Sequence, residues 1–316
     1  MKAIRLHEFG GPEVLLLDEV PEPEPGFEEI KIRVIGAGIN PADWKMRERP
    51  SELPLPATPG LDVAGIVAMV GPSVDRFHLG DAVFARTGWG QGSYAEYTVV
   101  KAAQAAHKPE SLDFVEAAAV PTAGLAAWQA LFDTARLQPR QTVLIHGAAG
   151  GVGSFAVQFA KWKGARVIGT ASGNHLDFVE SLGADEVIDY RVHRFEDKVR
   201  DVDVVLDTVG GDTTQRSWQV LKPGGFLVSL ITMIPEGEPE KHGVRGAHLA
   251  SRADGHQLAE IARLIDAGYV RPAVTTVLPL SEARKAHEMS QTHHMQGKIV
   301  LRVAPEPQEW TQRKAA

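Results

Sequence analysis

The stretch TVLIHGAAGGVGSFAVQFAK, from Thr142 to Lys161, constrains the fold more than any other. It opens with a short apolar run of strand character, passes through a glycine-rich turn, and continues with apolar residues at helical spacing. A glycine cluster alone says little. Between a strand and a helix it implies a bound dinucleotide: Gly150 and Gly151 let the backbone approach a pyrophosphate, Gly153 lets the helix pack closely, and the amides of the first helical turn face the phosphates. Gly147, Ala148 and Val152 complete the turn, with Ala148 where the usual fingerprint has its first glycine. A tight turn that binds nothing is the competing reading.

The same alternation continues downstream. RVIGTA precedes HLDFVESLG, EVIDY follows, DVVLDTVG precedes TTQRSWQVL, and GGFLVSL closes the series. Near-continuous apolar strands separated by amphipathic helices mark a parallel sheet covered on both faces, so residues 121–270 are expected to form a doubly wound α/β domain. The stretch DFVEAAAVPTAGLAAWQALFDTARL leads into it as two helical segments divided at Pro121.

Residues 1–120 read differently. IKIRVIGAGI, VAGIVAMVG and YAEYTVV are short β-branched runs, and LPLPATPG and GWGQG between them are turn chemistry. The acidic stretch PEPEPG, Pro21 to Gly26, reads as a solvated hairpin connection rather than a linker. AVTTVLPL and GKIVLRV near the C-terminus return to strand alternation, so residues 271–316 are assigned with 1–120 to one β domain, with a cleft expected against the α/β domain.

Composition removes several function classes. Lys and Arg number 33 against 40 Asp and Glu, a formal net charge of −7 without basic blocks, which argues against nucleic-acid and anionic-membrane partners. Cysteine is absent, so disulfides, thiolate nucleophiles, iron–sulfur ligation and sulfur-bound zinc are excluded. No apolar run approaches the roughly 20 residues of a membrane span, and a soluble protein with a cytosolic home fits.

Cofactor preference is read from the end of the second strand. An NAD site would place an acid on the ribose 2′-hydroxyl near Thr170 to Ser172, and none stands there. Ser172, Asn174 and His175 supply neutral or weakly basic donors, and Tyr190 and Arg191 add stacking and a cation, so NADPH is the expected cofactor. Thr208, Val209 and Gly210 after the fourth strand, and Ser229 and Leu230 after the fifth, fall where open α/β sheets bind ligands.

Seven motifs in order now carry a resemblance: GAGINPADWKMR, PGLDVAGIVAMVG, GSYAEY, VPTAGLAAWQAL, GAAGGVG, LDTVGG and GKIVL. Over nearly its whole length the chain resembles the medium-chain dehydrogenase/reductase superfamily, and within it the zinc-independent quinone oxidoreductase branch. The resemblance implies a GroES-like β domain plus a Rossmann domain. Asn40 stands where zinc-dependent relatives carry a cysteine, and Leu61 where they carry a histidine, so no metal is expected. Asp62 and His78 are read as structural or solvated, and THHM, Thr292 to Met295, as a surface loop.

Without a Lewis acid, the acceptors expected are those whose conjugation stabilises added electrons: quinones and α,β-unsaturated carbonyls. By resemblance, Asn40 and Asp43 line the substrate region and Thr122 contacts the nicotinamide end. Asn40 is assigned to orient the acceptor oxygen, with loop capping as the alternative for both Asx residues. Nothing in the sequence suggests a raised pKa for Asp43, which is read as positioning Arg47 or backbone. Trp44, Trp89 and Tyr94 are candidates for a flat substrate slot, against ordinary packing. The segment GGFLVSLITMI, Gly224 to Ile234, is unusually apolar, and the resemblance implies that it is the edge of the α/β sheet and the seam of a homodimer; the loop 231–248 either covers the nicotinamide or is a flexible connection. A dinucleotide-binding redox sensor or structural protein with little turnover is the different-class alternative.

Overall fold

The computed structural model describes residues 1–49, 54–292 and 295–307. Part of the loop between Trp44 and Pro56, and His293 and His294 of the THHM stretch, lie outside the described residues.

In chain order, β1 (Lys2–Leu6), β2 (Leu15–Glu19) and β3 (Glu29–Gly38) lead into α1 (Pro41–Glu48). Then come β4 (Asp62–Val70), β5 (Ala82–Arg86), β6 (Tyr97–Lys101) and β7 (Ala105–His107), followed by α2 (Phe114–Ala118) and α3 (Pro121–Trp128). The α/β series follows: β8 (Thr142–His146), α4 (Gly151–Trp162), β9 (Arg166–Ala171), α5 (Leu176–Ser181), β10 (Glu186–Asp189), β11 (Val202–Asp207), α6 (Asp212–Ser217), β12 (Leu221–Ser229), α7 (Glu238–Lys241) and β13 (Arg245–His248). The chain ends with α8 (Gly255–Asp266), β14 (Val274–Pro279), α9 (Ala283–Gln291) and β15 (Lys298–Arg302).

Two compact units result. The first comprises Met1–Thr122, Ala253–Gly268 and Pro272–Ala316; the second comprises Ala123–Arg252 and Tyr269–Arg271. In the first, β14-β15-β3-β4-β5-β7 form one sheet with β6 also on β3, antiparallel except for the β14–β15 pair. Ile32, Val34, Val63, Val83 and Ile299 fill its core. The glycines of GAG bring α2 directly onto β3, because a Cβ at Gly38 would lie 2.3 Å from the carbonyl oxygen of Ala118 and one at Gly36 2.8 Å from that of Phe114. A capping box starts α2: Asp113 accepts from the Glu116 amide at 2.7 Å and Glu116 from the Asp113 amide at 2.9 Å.

The second unit is a fully parallel sheet in the order β10-β9-β8-β11-β12-β13. The order reverses between β8 and β11, which is where such sheets bind ligands. Leu144, Ile168, Val205, Leu227 and Trp218 form its core.

Four expectations are corrected. PEPEPG does not close a hairpin: β2 pairs with β1 while β3 enters the other sheet, and Glu22 meets the buried Lys31 ammonium at 3.1 Å. The Gly224 to Ile234 segment is not an edge, since β13 pairs alongside β12 and takes that place. The 231–248 stretch carries α7 and β13 rather than irregular chain throughout. Finally, α8 lies in the first unit instead of the α/β domain, because Gly255 lets it approach β7, where a Cβ would meet the Ala105 carbonyl oxygen at 2.4 Å, and Asp266 accepts from the Ser111 amide and hydroxyl at 2.9 and 2.7 Å.

Candidate functional site

The carboxyl ends of β8 to β12 converge the residues singled out for the dinucleotide. Gly147 has φ +68, open to glycine without strain, and a Cβ there would meet the Thr208 hydroxyl at 2.5 Å. Gly153 has the tightest surroundings of the turn: its Cβ would stand 2.2 Å from the Gly147 carbonyl oxygen and 2.7 Å from the Ala148 Cα. Only glycine lets α4 begin so close to the end of β8. Ala148 is buried and its amide donates to the Thr170 carbonyl at 3.0 Å, which joins the turn to β9. Gly150 is the N-cap of the twelve-residue α4, with no side-chain cap and no acid in the first turn, so the amides at Gly151, Val152 and Gly153 present an uncapped positive helix end. That geometry fits a pyrophosphate.

Asp207, not singled out from the sequence, organises the other flank. Its Oδ1 accepts from the Val209 and Gly210 amides, both at 2.9 Å, and its Oδ2 from the Thr214 and Ser229 hydroxyls at 2.5 and 3.0 Å. Ser229 in turn accepts from the Ile231 and Thr232 amides at 3.2 and 2.9 Å. Ser229 is thus a fully buried loop organiser, while Leu230 donates its amide to the Asp207 carbonyl at 3.0 Å. Thr208 donates to the His146 carbonyl at 2.7 Å, tying β11 to β8.

At the end of β9, Ser172 is buried, Asn174 exposed and His175 partly exposed; the Tyr190 amide donates to the Ala171 carbonyl at 3.2 Å, and its side chain is half exposed. An acid missing from β9 stands on β10 instead: Asp189 accepts from the Arg191 amide at 2.9 Å, and its Oδ2 lies 2.7 Å from where a Gly173 Cβ would be. A cavity of about 290 Å³ follows, lined by Tyr190, Arg191, His193, Arg194 and Arg216 among others. Beneath the turn, His146 is buried between the Thr170 and Ser217 hydroxyls at 3.1 and 3.0 Å, and burial pushes its imidazole down to about 4.

The first unit holds the remaining candidates in a buried polar network. Asn40 donates from Nδ2 to Asp62 at 2.9 Å and accepts the Lys298 ammonium at Oδ1 at 2.6 Å. Lys298 also donates to the Ile39 carbonyl at 2.8 Å and lies 3.3 Å from Asp62. A fixed ammonium therefore sits against Asn40 and Asp62, and among the described residues no group of three His, Asp or Glu is placed to hold a metal ion. Asp62 accepts the Thr122 amide at 2.7 Å, and the Thr122 hydroxyl is buried with no partner among the described residues. His78 is exposed, with its amide on Asp81.

Asp43 departs from expectation. Burial pushes its carboxyl up to about 7, against the opposing Asn40 amide at 2.8 Å, with the Asp62 charge adding to the rise. Of the two partners expected for Asp43, backbone is the one found, at the Asn40 amide; the Arg47 guanidinium donates instead to the Gly10 carbonyl at 3.1 Å and to His287 at 3.1 Å. The aromatic candidates do not share one setting: Tyr94 is fully buried with its hydroxyl donating to Asp43 at 3.1 Å, Trp44 is buried with its indole N–H on Ser290 at 3.2 Å, and Trp89 is half exposed. Tyr94 and Trp44 are packed into the interior, and of the three only Trp89 is substantially exposed.

Comparisons with known proteins identify the family. Residues 26–110 match the family described as alcohol dehydrogenase GroES-like domain, and residues 182–301 the one described as zinc-binding dehydrogenase. The NADPH-dependent alkenal/one oxidoreductase of Arabidopsis thaliana is 35% identical over 96% of this chain and 80% of its own length. Among solved structures, the quinone oxidoreductase from Coxiella burnetii superposes with TM-score 0.89 at 36% identity over 96% of this chain and 99% of that one. The Escherichia coli quinone oxidoreductase, solved with NADPH, gives TM-score 0.87 at 31% identity over 96% and 100%. The chain belongs to the medium-chain dehydrogenase/reductase superfamily, in its zinc-independent quinone oxidoreductase-like branch.

Two outcomes follow from this geometry. Gly153→Val forces α4 off the strand end, so thermal stability is expected to fall by about 1–3 kcal/mol, and NADPH affinity measured by calorimetry by tenfold or more, roughly 1.4 kcal/mol; wild-type affinity contradicts the close-approach account. For His146, the folded group stays neutral down to about 4 while the unfolded chain protonates near 6.5, so stability is lost as pH falls across that window. Asp43, raised from 3.8 to about 7, works oppositely as pH rises across its own window. The difference between wild type and His146→Gln isolates the histidine: urea denaturation is expected to show a shallower acid-side loss in the variant, and parallel curves rule this out.

Proposed function

We propose that this protein is an NADPH-dependent reductase that transfers hydride to quinones or α,β-unsaturated carbonyls without zinc. The observation that carries the reading is the uncapped α4 N-terminus beneath a turn that only glycine at 153 allows. Bound NADPH supplies the hydride. The chain's own residues do the rest: the Gly151 to Gly153 amides hold the pyrophosphate, Ser172, Asn174, His175, Tyr190 and Arg191 take the 2′-phosphate end, and the unpartnered Thr122 hydroxyl serves the nicotinamide end. Thr208, Val209 and Gly210, fixed by Asp207, contact the cofactor through backbone. Asn40 keeps a second amide hydrogen beyond the one given to Asp62, and that hydrogen stabilises the developing enolate or phenolate oxygen. Lys298 and Asp62 hold Asn40 in the orientation required.

Residues 123–252 are proposed to carry the nucleotide-binding role, and Asn40 and Asp43 the substrate side. A homodimer in the cytosol is the assembly we propose; the short edge strand β13 and the exposed Ile231 and Met233 nearby support it. No helix among the described residues is long and apolar enough to cross a membrane.

NADPH consumption across quinones, enones and alkenals is expected, with NADH poorer and ordinary alcohols with NADP⁺ inactive as the reverse control; binding without consumption would favour a sensor. Asn40→Ala is expected to lower kcat roughly tenfold or more while leaving NADPH binding near wild type; wild-type turnover removes Asn40 from the mechanism.

A further inference from the structure

Behind Asp43 runs a buried chain that the reaction as described does not use. Arg47 Nη1 lies 3.1 Å from His287 Nδ1, His287 Nε2 lies 3.2 Å from the Tyr94 hydroxyl, and that hydroxyl lies 3.1 Å from Asp43 Oδ2. Arg47, Tyr94, His287 and Asp43 are all fully buried.

Proton bookkeeping gives the chain one direction. A guanidinium only donates, so Arg47 fixes Nδ1 of His287 as acceptor and leaves the proton on Nε2. Burial, reinforced by the Arg47 charge, holds that imidazole neutral down to about 3. Nε2 then donates to the Tyr94 oxygen, and the Tyr94 proton has Asp43 Oδ2 as its acceptor. The same Oδ2 receives the Asn40 amide at 2.8 Å, while Oδ1 is buried with no partner among the described residues. One carboxyl oxygen is saturated and the other is bare. The chain therefore fixes the Asp43 rotamer and, through its bond to the Asn40 backbone amide, the N-cap of α1 that Asn40 forms.

We propose that Tyr94, His287 and Arg47 are positioning residues for the reductase reaction, acting through Asp43 on Asn40. The inference rests on the reductase reading. Arg47 comes from α1, Tyr94 from the loop before β6 and His287 from α9, so three separated segments must be in place before the chain closes. Other charged groups facing Asp43 are Asp62 on β4, Arg86 on β5 and Lys298 on β15. Burying such a chain stabilises less than packed apolar groups would, so its contribution lies in geometry.

The test uses the full chain. Tyr94→Phe keeps the ring and removes only the hydroxyl; kcat is expected to fall about tenfold, with KM and the NADPH dissociation constant within about twofold of wild type. His287→Leu is expected to behave likewise. His287→Gln, whose carbonyl can accept from Arg47 and whose amide can donate to Tyr94, is expected to recover most of the turnover. In parallel, ¹³C-carboxyl aspartate NMR follows Asp43: losing the Tyr94 donor raises its titration midpoint in Tyr94→Phe. A wild-type kcat in Tyr94→Phe, or an unmoved midpoint, overturns the proposal. If the wild-type protein consumes no NADPH with any acceptor, the reductase reading fails instead, and the midpoint shift alone then decides whether the chain acts on Asp43.

Discussion

The carbonyl oxygen of Gly147 stands 2.2 Å from where any side chain at residue 153 would begin. That single exclusion lets α4 start directly against the end of β8, with free amides at its first turn and no acid or cap to compete for them. Other contacts of the second unit hold the neighbouring strand ends and loops. Thr208 ties the end of β11 to β8, Ala148 ties the turn to β9, and Asp207 gathers the loops after β11 and β12 with four hydrogen bonds. A buried carboxylate so fully satisfied rigidifies its surroundings.

The first unit relies on a different device. Polar and charged groups are buried together, and each is given partners: Lys298 holds Asn40 and Asp62, Asp62 holds Thr122, and Arg47 begins a chain that ends on Asp43. An ammonium at Asn40 supplies a fixed positive charge from the protein itself. In the proposed reaction a conjugated acceptor needs only a donor at its oxygen, because its own π-system takes up the electrons.

Much of this was legible in the sequence where the signal is local. The glycine turn, the β-α alternation and the Pro121 break announce themselves within a few residues, because period and backbone freedom are local properties. Asp207 was passed over although LDTVGG was noted, since its role depends on Ser229 and Thr214 folding back toward it. Asp43 was misread for a similar reason: burial raises its pKa, and nothing in NPADWK says that α1 is covered by α9 and Tyr94. His287 lies 240 residues from Arg47, and Lys298 lies 258 from Asn40; contacts at such separation leave no pattern in one sequence. The helix α8 was placed in the wrong unit because its apolar face does not reveal which surface it meets.

The most direct test follows the backbone amides of Gly151, Val152 and Gly153 in ¹H–¹⁵N spectra as NADPH is added. The account predicts that these amides shift in a saturable way with the dinucleotide phosphates against them. Saturating NADPH binding that leaves all three unmoved would contradict it.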